Sequence, residues 1–130
     1  MDICIDTNVF SHTVFLQWIA DNKANVYLPS IAYMECAYHQ TKTHDGSLAS
    51  FISMLAGLRV TIVPFDGELA LIAAKNASVR HDLKDNATDH AIGAYAYKRK
   101  IPMITNNKKH FTGLKEVYTP DEFMKKCRAQ

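Results

Sequence analysis

At 130 residues and 48% hydrophobic content, the chain has the size and the apolar material of one domain with a single core, so one domain over residues 1–130 is expected. Fifteen Lys and Arg against thirteen Asp and Glu leave a net charge of +2, which by itself announces no nucleic-acid partner and leaves that case to local clusters. Cys4, Cys36 and Cys127 lack C-x-x-C spacing, no apolar run nears the roughly 20 residues of a membrane span, and no charged-then-apolar leader follows Met1, so a cytoplasmic protein without disulfides or a membrane partner is expected.

Ile3-Cys4-Ile5 predicts a short buried strand that ends at Asp6, after which Thr7 or Asn8 is placed to cap a helix through about Ala20. Val26-Tyr27-Leu28 predicts a second strand stopped by Pro29. Ser30 then caps a helix carrying Ile31, Met34, Glu35 and Tyr38, with Glu35 near its apolar stripe. Residues 44–58 are a further helix candidate. Residues 59–63 form the clearest strand, broken by Pro64, and Asp66 caps the next helix. Leu69, Ile72, Ala73 and Ala77 give that helix one buried face, ending near Arg80. Asp85-Asn86-Ala87-Thr88 leads into a helix running to about Lys100, and residues 101–105 predict another short strand. Thr119-Pro120-Asp121-Glu122 is a capping box with proline at the first helical position of a closing helix.

Strands that alternate with helices favour an α/β sandwich with a mostly parallel sheet, because parallel strands need helical crossovers. Ligands of such sheets gather beyond the carboxyl ends of the strands. Asp6 follows the first strand and Thr105-Asn106-Asn107 follows the last clear one, so both are expected at the same crevice.

Asp6, Glu35 and Asp89 each sit inside or beside apolar residues. Taken singly, each has an ordinary explanation: a strand-end turn, a partly solvated helix side chain, a first-turn acid favoured by the helix dipole. If they converge, each ionised pair about 5 Å apart repels by roughly 3 kcal/mol at an effective dielectric near 20, and only a cation relieves that. Carboxylate oxygens with few histidines select Mg²⁺ or Mn²⁺ over zinc, and the natural chemistry is hydrolysis of a phosphodiester by an activated water.

These residues resemble the PIN-domain ribonucleases, most closely the VapC-type toxins of toxin–antitoxin pairs, and the resemblance spans nearly the whole chain. Ile5, Asp6, Thr7, Asn8 and Val9 look like the family's hydrophobic-D-T-N-hydrophobic signature. Glu35 matches a second acid on an early helix, Asp89, Ile92, Ala94 and Ala96 fall on a D-x-x-I-x-A-x-A helix, and Thr105, Asn107 and Phe111 match a closing T-x-D or T-x-N strand. The resemblance implies a PIN-like α/β/α sandwich and a metal-dependent endoribonuclease, with Asp6, Glu35 and Asp89 holding Mg²⁺ or Mn²⁺ and Asn107 completing the catalytic set. It further implies RNA as substrate, a small antitoxin protein as partner, and a homodimer.

The chain departs from that pattern at Asn107, where many members carry aspartate; an amide adds no charge, so weaker metal affinity and a single ion are expected. Asp85, one helical turn before Asp89, is a candidate substitute acid, although helix capping accounts for it more cheaply. Thr7, Asn8 and Thr105 are expected to support Asp6. Lys108 and Lys109, directly after the strand-end turn, are candidates for binding RNA phosphates, whereas Lys98-Arg99-Lys100 reads as a solvated helix end. Cys36 and His39 lack a second ligand pair for zinc, His90 is expected at the surface, and Trp18 with Phe15 and Ile19 suits either a core or a dimer contact. Two other functions compete with the nuclease. One is a non-catalytic PIN-fold module that binds RNA or a partner. The other is a phosphohydrolase using Asp6 as nucleophile, disfavoured because Asn8 stands where a general acid is needed.

Overall fold

The computed structural model describes residues 1–43 and 47–130. Strands β1 (Asp2–Ile5), β2 (Asn25–Pro29), β3 (Thr61–Val63), β4 (Met103–Ile104) and β5 (Val117–Tyr118) form one sheet in the order β3-β2-β1-β4-β5, every neighbouring pair parallel. Ile3, Cys4 and Ile5 are all fully buried, as a strand covered on both faces requires. From β1 the chain builds one way through β2 and β3, then returns to the other side of β1 with β4 and β5. That reversal leaves a crevice at the carboxyl ends of β1 and β4, the place where open parallel sheets bind ligands.

The described residues include six α-helices: α1 (Thr13–Asn22), α2 (Ser30–Thr43), α3 (Ser47–Gly57), α4 (Gly67–Arg80), α5 (Leu83–Arg99) and α6 (Pro120–Arg128). Packing pairs α4 with α5, α1 with α6, and α2 with α3 and α5. Phe15 and Ile19 of α1, Ile92 and Ala96 of α5, and Phe123 of α6 close over the strands, and Trp18, half-buried, stacks on Phe15 and meets Phe123 edge-on, which makes it part of the core margin. Asp66 Oδ1 accepts from the Leu69 N–H at 2.9 Å, and Thr119 and Glu122 exchange both bonds of the capping box ahead of α6. Among the described residues no helix is long and apolar enough to cross a membrane.

Several local expectations are corrected. The first helix does not start at Thr7 or Asn8: Thr7–Val9 is a 3₁₀ turn capped by Asp6, and α1 begins six residues later behind His12, whose Nδ1 accepts from the Phe15 N–H at 3.1 Å. The Asp6 carboxylate is engaged locally, so the chain needs a second cap to launch a full helix. On α2 the inward face is Ala32 and Cys36, while Met34 and Tyr38 point outward, and the Ser30 hydroxyl accepts from the Phe65 N–H instead of capping its own helix. The third strand is shorter than residues 59–63 because Arg59 takes a left-handed φ of 56° to end the preceding turn. The predicted helix start near His44 lies outside the described residues. Helix α5 begins at Leu83, ahead of the expected start, and breaks its helical dihedrals at Asn86. Strand β5 was not foreseen: two half-buried residues carry no readable alternation.

Candidate active site

Asp6 leaves β1 directly at the crevice and is 5% exposed. Its Oδ1 accepts from the Thr7 N–H at 2.7 Å and, more weakly, from the Thr7 hydroxyl at 3.4 Å. Its Oδ2 accepts from the Thr105 hydroxyl at 3.0 Å and from the Asn8 amide at 3.5 Å. Thr105 follows the neighbouring strand β4 and is wholly buried, so its hydroxyl proton has one outlet, the carboxylate. The same oxygen accepts from the Asn107 N–H at 3.0 Å and the Asn8 amide at 3.4 Å. Asn8 in turn receives the Asn106 N–H at 3.0 Å on its Oδ1, which ties the two strand ends together. The D-T-N sequence thus supplies one acid and two residues that hold it with neutral donors.

Two further acids feel the charge of this carboxylate. Glu35 comes from α2, where burial, then Asp6, then Asp89 push its carboxyl above the usual range. Asp89 comes from α5, and burial again raises it, with Asp6 adding to the rise and His110 and His90 opposing it. The three carboxylates therefore share one electrostatic environment although they arise from distant parts of the chain. His110 Nδ1 lies 3.2 Å from Asp89 Oδ2, so an imidazole rather than a lysine partners this acid. Burial, Asp6 and Glu35 push the Cys36 thiol up to about 12, as expected of a buried, unreactive cysteine.

Among the described residues, no three Asp, Glu, His or Cys side chains stand close enough together to hold one ion as they are placed. Carboxylate oxygens are nevertheless the donors a hard divalent cation takes, and the charge of Asp6 raises both Glu35 and Asp89 while Asp89 raises Glu35 further. Asn107 is exposed at the rim and contributes its backbone N–H inward, with no capping bond from its side chain. Asp85 is exposed and precedes the break at Asn86, so the regular one-turn spacing to Asp89 is not kept. Lys108 is committed to Glu122 at 3.0 Å, whereas exposed Lys109 has no side-chain partner among the described residues. Lys98 pairs with Glu68 and Arg99 with Asp2, away from the acids.

Sequence reasoning passed over three groups here. His110 was counted only as part of a basic cluster, although its place just past the strand-end turn was the available signal. Asn106 was named within the turn but given no role. His90 is not a surface residue: its side chain is 10% exposed and its Nε2 lies 2.6 Å from Asp82 Oδ1. Asp82 also takes the Asn86 amide at 3.0 Å and Arg80 at 3.6 Å, a network at the break in α5 whose signal in the sequence was the spacing of four between Asp82, Asn86 and His90.

The fold is that of several solved α/β proteins. A chain of DNA-bound VapBC from Salmonella typhimurium is similar over 92% of this chain and 98% of its own, at 19% identity and a TM-score of 0.76. FitAcB from Neisseria gonorrhoeae is similar over 91% of this chain and 97% of its own, at 22% identity and a TM-score of 0.70. A toxin–antitoxin complex from Klebsiella pneumoniae is similar over the same shares, at 22% identity and a TM-score of 0.68. A comparison with curated protein sequences finds no match. The sequence matches the PIN domain family over residues 3–117, most of its length, and the chain belongs to that family.

Proposed function

We propose that the protein is a metal-dependent endoribonuclease that acts as the toxin of a toxin–antitoxin pair. The observation that supports this reading is the electrostatic coupling of Asp6, at the end of β1, to Glu35 on α2 and Asp89 on α5, both of whose carboxyls it pushes up. Asp6, Glu35 and Asp89 are the residues to hold Mg²⁺ or Mn²⁺, with Asn107 at the rim as a neutral fourth. When bound, such an ion supplies positive charge that acidifies a water and steadies the leaving oxygen of a phosphodiester. The chain's own residues do the rest. Thr7, Asn8 and Thr105 fix the orientation of the Asp6 carboxylate. Asp89, which His110 partners here, would be one of the carboxylates holding the cation, and Lys109 draws RNA phosphate to the crevice.

The antitoxin partner is supported by the fold's likeness to chains of VapBC and of a toxin–antitoxin complex. It is also supported by apolar side chains on two packed helix pairs. Met34, Tyr38 and Ile52 are exposed on α2 and α3, and Leu71 and Leu83 on α4 and α5. One such surface suits a small antitoxin and the other a second copy of the chain.

Purified protein given a labelled structured RNA with Mg²⁺ or Mn²⁺ should cleave it, and Asp6→Asn should reduce the rate by at least about a thousandfold, a loss on the scale of a removed charge-stabilising group. Cleavage that survives excess EDTA would count against the assignment. A second reading is favoured by Asn107, which leaves the site one acid short: a PIN-fold module that binds RNA or a partner without cutting. RNA binding in the absence of any Mn²⁺ uptake by calorimetry would select it.

A further inference from the structure

We propose that the cavity of about 270 Å³ between α4, α5 and the Lys108–Phe111 turn is a subsite for one unpaired base of the RNA, beside the acids. The inference rests on the nuclease reading and gives that site a source of base selectivity. Asp89 and His110 belong both to the acid cluster and to the cavity wall, so a strand with a phosphate at the acids brings a flanking base to this opening. Ligand pockets for drug-sized molecules run from about 300 to 1,000 Å³, so a cavity at the low end suits a single ring system.

Its lining has the two elements by which proteins read single-stranded bases, aromatic or apolar faces and edge-reading polar groups. Tyr97, half exposed, offers a ring, and Phe111 and Leu114 supply apolar contact. Asn76 and Arg80 supply an amide and a guanidinium. The Asn76 amide has no hydrogen-bond partner among the described residues, and Arg80 holds Asp82 only at 3.6 Å, so donors and an acceptor remain for a ligand. Gly93 sets the shape. A Cβ there would stand 3.3 Å from Phe111 Cδ1 and 3.5 Å from Leu114 Cδ1, so glycine is what lets the turn seat against α5.

The test is a titration of ¹⁵N-labelled protein in EDTA with AMP, CMP, GMP and UMP, and with ribose 5-phosphate as the base-free probe. The amides of Val79, Gly93, Gly113 and Leu114 should shift with at least one nucleotide at about tenfold lower concentration than with ribose 5-phosphate, on the scale of one stacked base. Asn76→Ala and Tyr97→Ala, both with melting curves like the parent protein, should each weaken the preferred nucleotide by about tenfold. Equal shifts from ribose 5-phosphate, or nucleotide shifts that neither substitution alters, would overturn the subsite. So would shifts at these amides that arise with a co-purified protein partner and with no nucleotide. Because neither metal nor cleavage is involved, base-selective shifts in a protein that never cuts RNA would sink the nuclease and leave the subsite, and an active nuclease with silent amides would do the reverse.

Discussion

The Thr105 hydroxyl stands at the centre of a closed set of bonds: it donates to Asp6 and accepts from Asn107 N–H and the Asn8 amide. Thr105→Val keeps the shape and removes all three, leaving the buried Asp6 carboxylate without that donor, so a loss of about 1–3 kcal/mol in urea unfolding is expected, together with weaker Mn²⁺ binding by calorimetry. The lysines divide as their partners do. Lys109→Ala should weaken RNA binding and flatten its salt dependence more than Lys108→Ala, because Lys108 already spends its charge on Glu122. Glu35 and Asp89 have folded values raised above the ordinary 4.5 and 3.8. A raised carboxyl stabilises the fold fully below its unfolded value, and that contribution is lost as pH rises through the folded one. The metal-free protein should therefore gain less stability than a typical domain between pH 4 and 7, and Mn²⁺ should raise its melting temperature more at pH 7 than at pH 5, where protons compete for the same oxygens. Equal metal-induced shifts at both pH values would contradict the carboxylate site.

At the scale of elements, the helix ends and the glycine on α5 decide sign as well as size. Helices α1, α4 and α5 end on Lys23, His81 and Lys100 in left-handed backbone, with φ between 51° and 56°, where a side chain costs about 1–2 kcal/mol. Basic residues recover part of that cost by facing the carbonyl end of the helix dipole. Lys100→Gly should still stabilise by about 0.5–1 kcal/mol in thermal unfolding. Gly93→Ala would ordinarily gain about 1 kcal/mol in a helix interior. Here its Cβ meets buried Phe111 at 3.3 Å, and overpacking of about 1–3 kcal/mol should turn the gain into a loss. The elements legible in the sequence were those with their own punctuation. Asp66 and the Thr119–Glu122 box mark boundaries with local bonds, Pro29 marks one by closing β2, and the structure has them. Strand β5 and the 3₁₀ turn at Thr7–Val9 had no such marks: one exists through its pairing with β4, the other through a carboxylate already engaged by its neighbours.

For the whole molecule, the order β3-β2-β1-β4-β5 is what turns scattered motifs into a site. It sets β1 beside β4, so Asp6 and Thr105 meet although 99 residues separate them. The parallel alternation and the pairing of Asp6 with the Thr105 turn could be read from the sequence, because strand periodicity and crossover length are local properties. Asp6, Glu35 and Asp89 were likewise singled out by spacing and by their apolar neighbours. What only the tertiary structure decided are the relations that depend on how helices lie across the sheet. These are His110 as the partner of Asp89, the outward turn of Met34 and Tyr38, and the cavity beneath Tyr97. A chain encodes its hydrogen-bonding caps and hydrophobic period residue by residue, but which side chains come within reach across the fold is fixed only when the core packs.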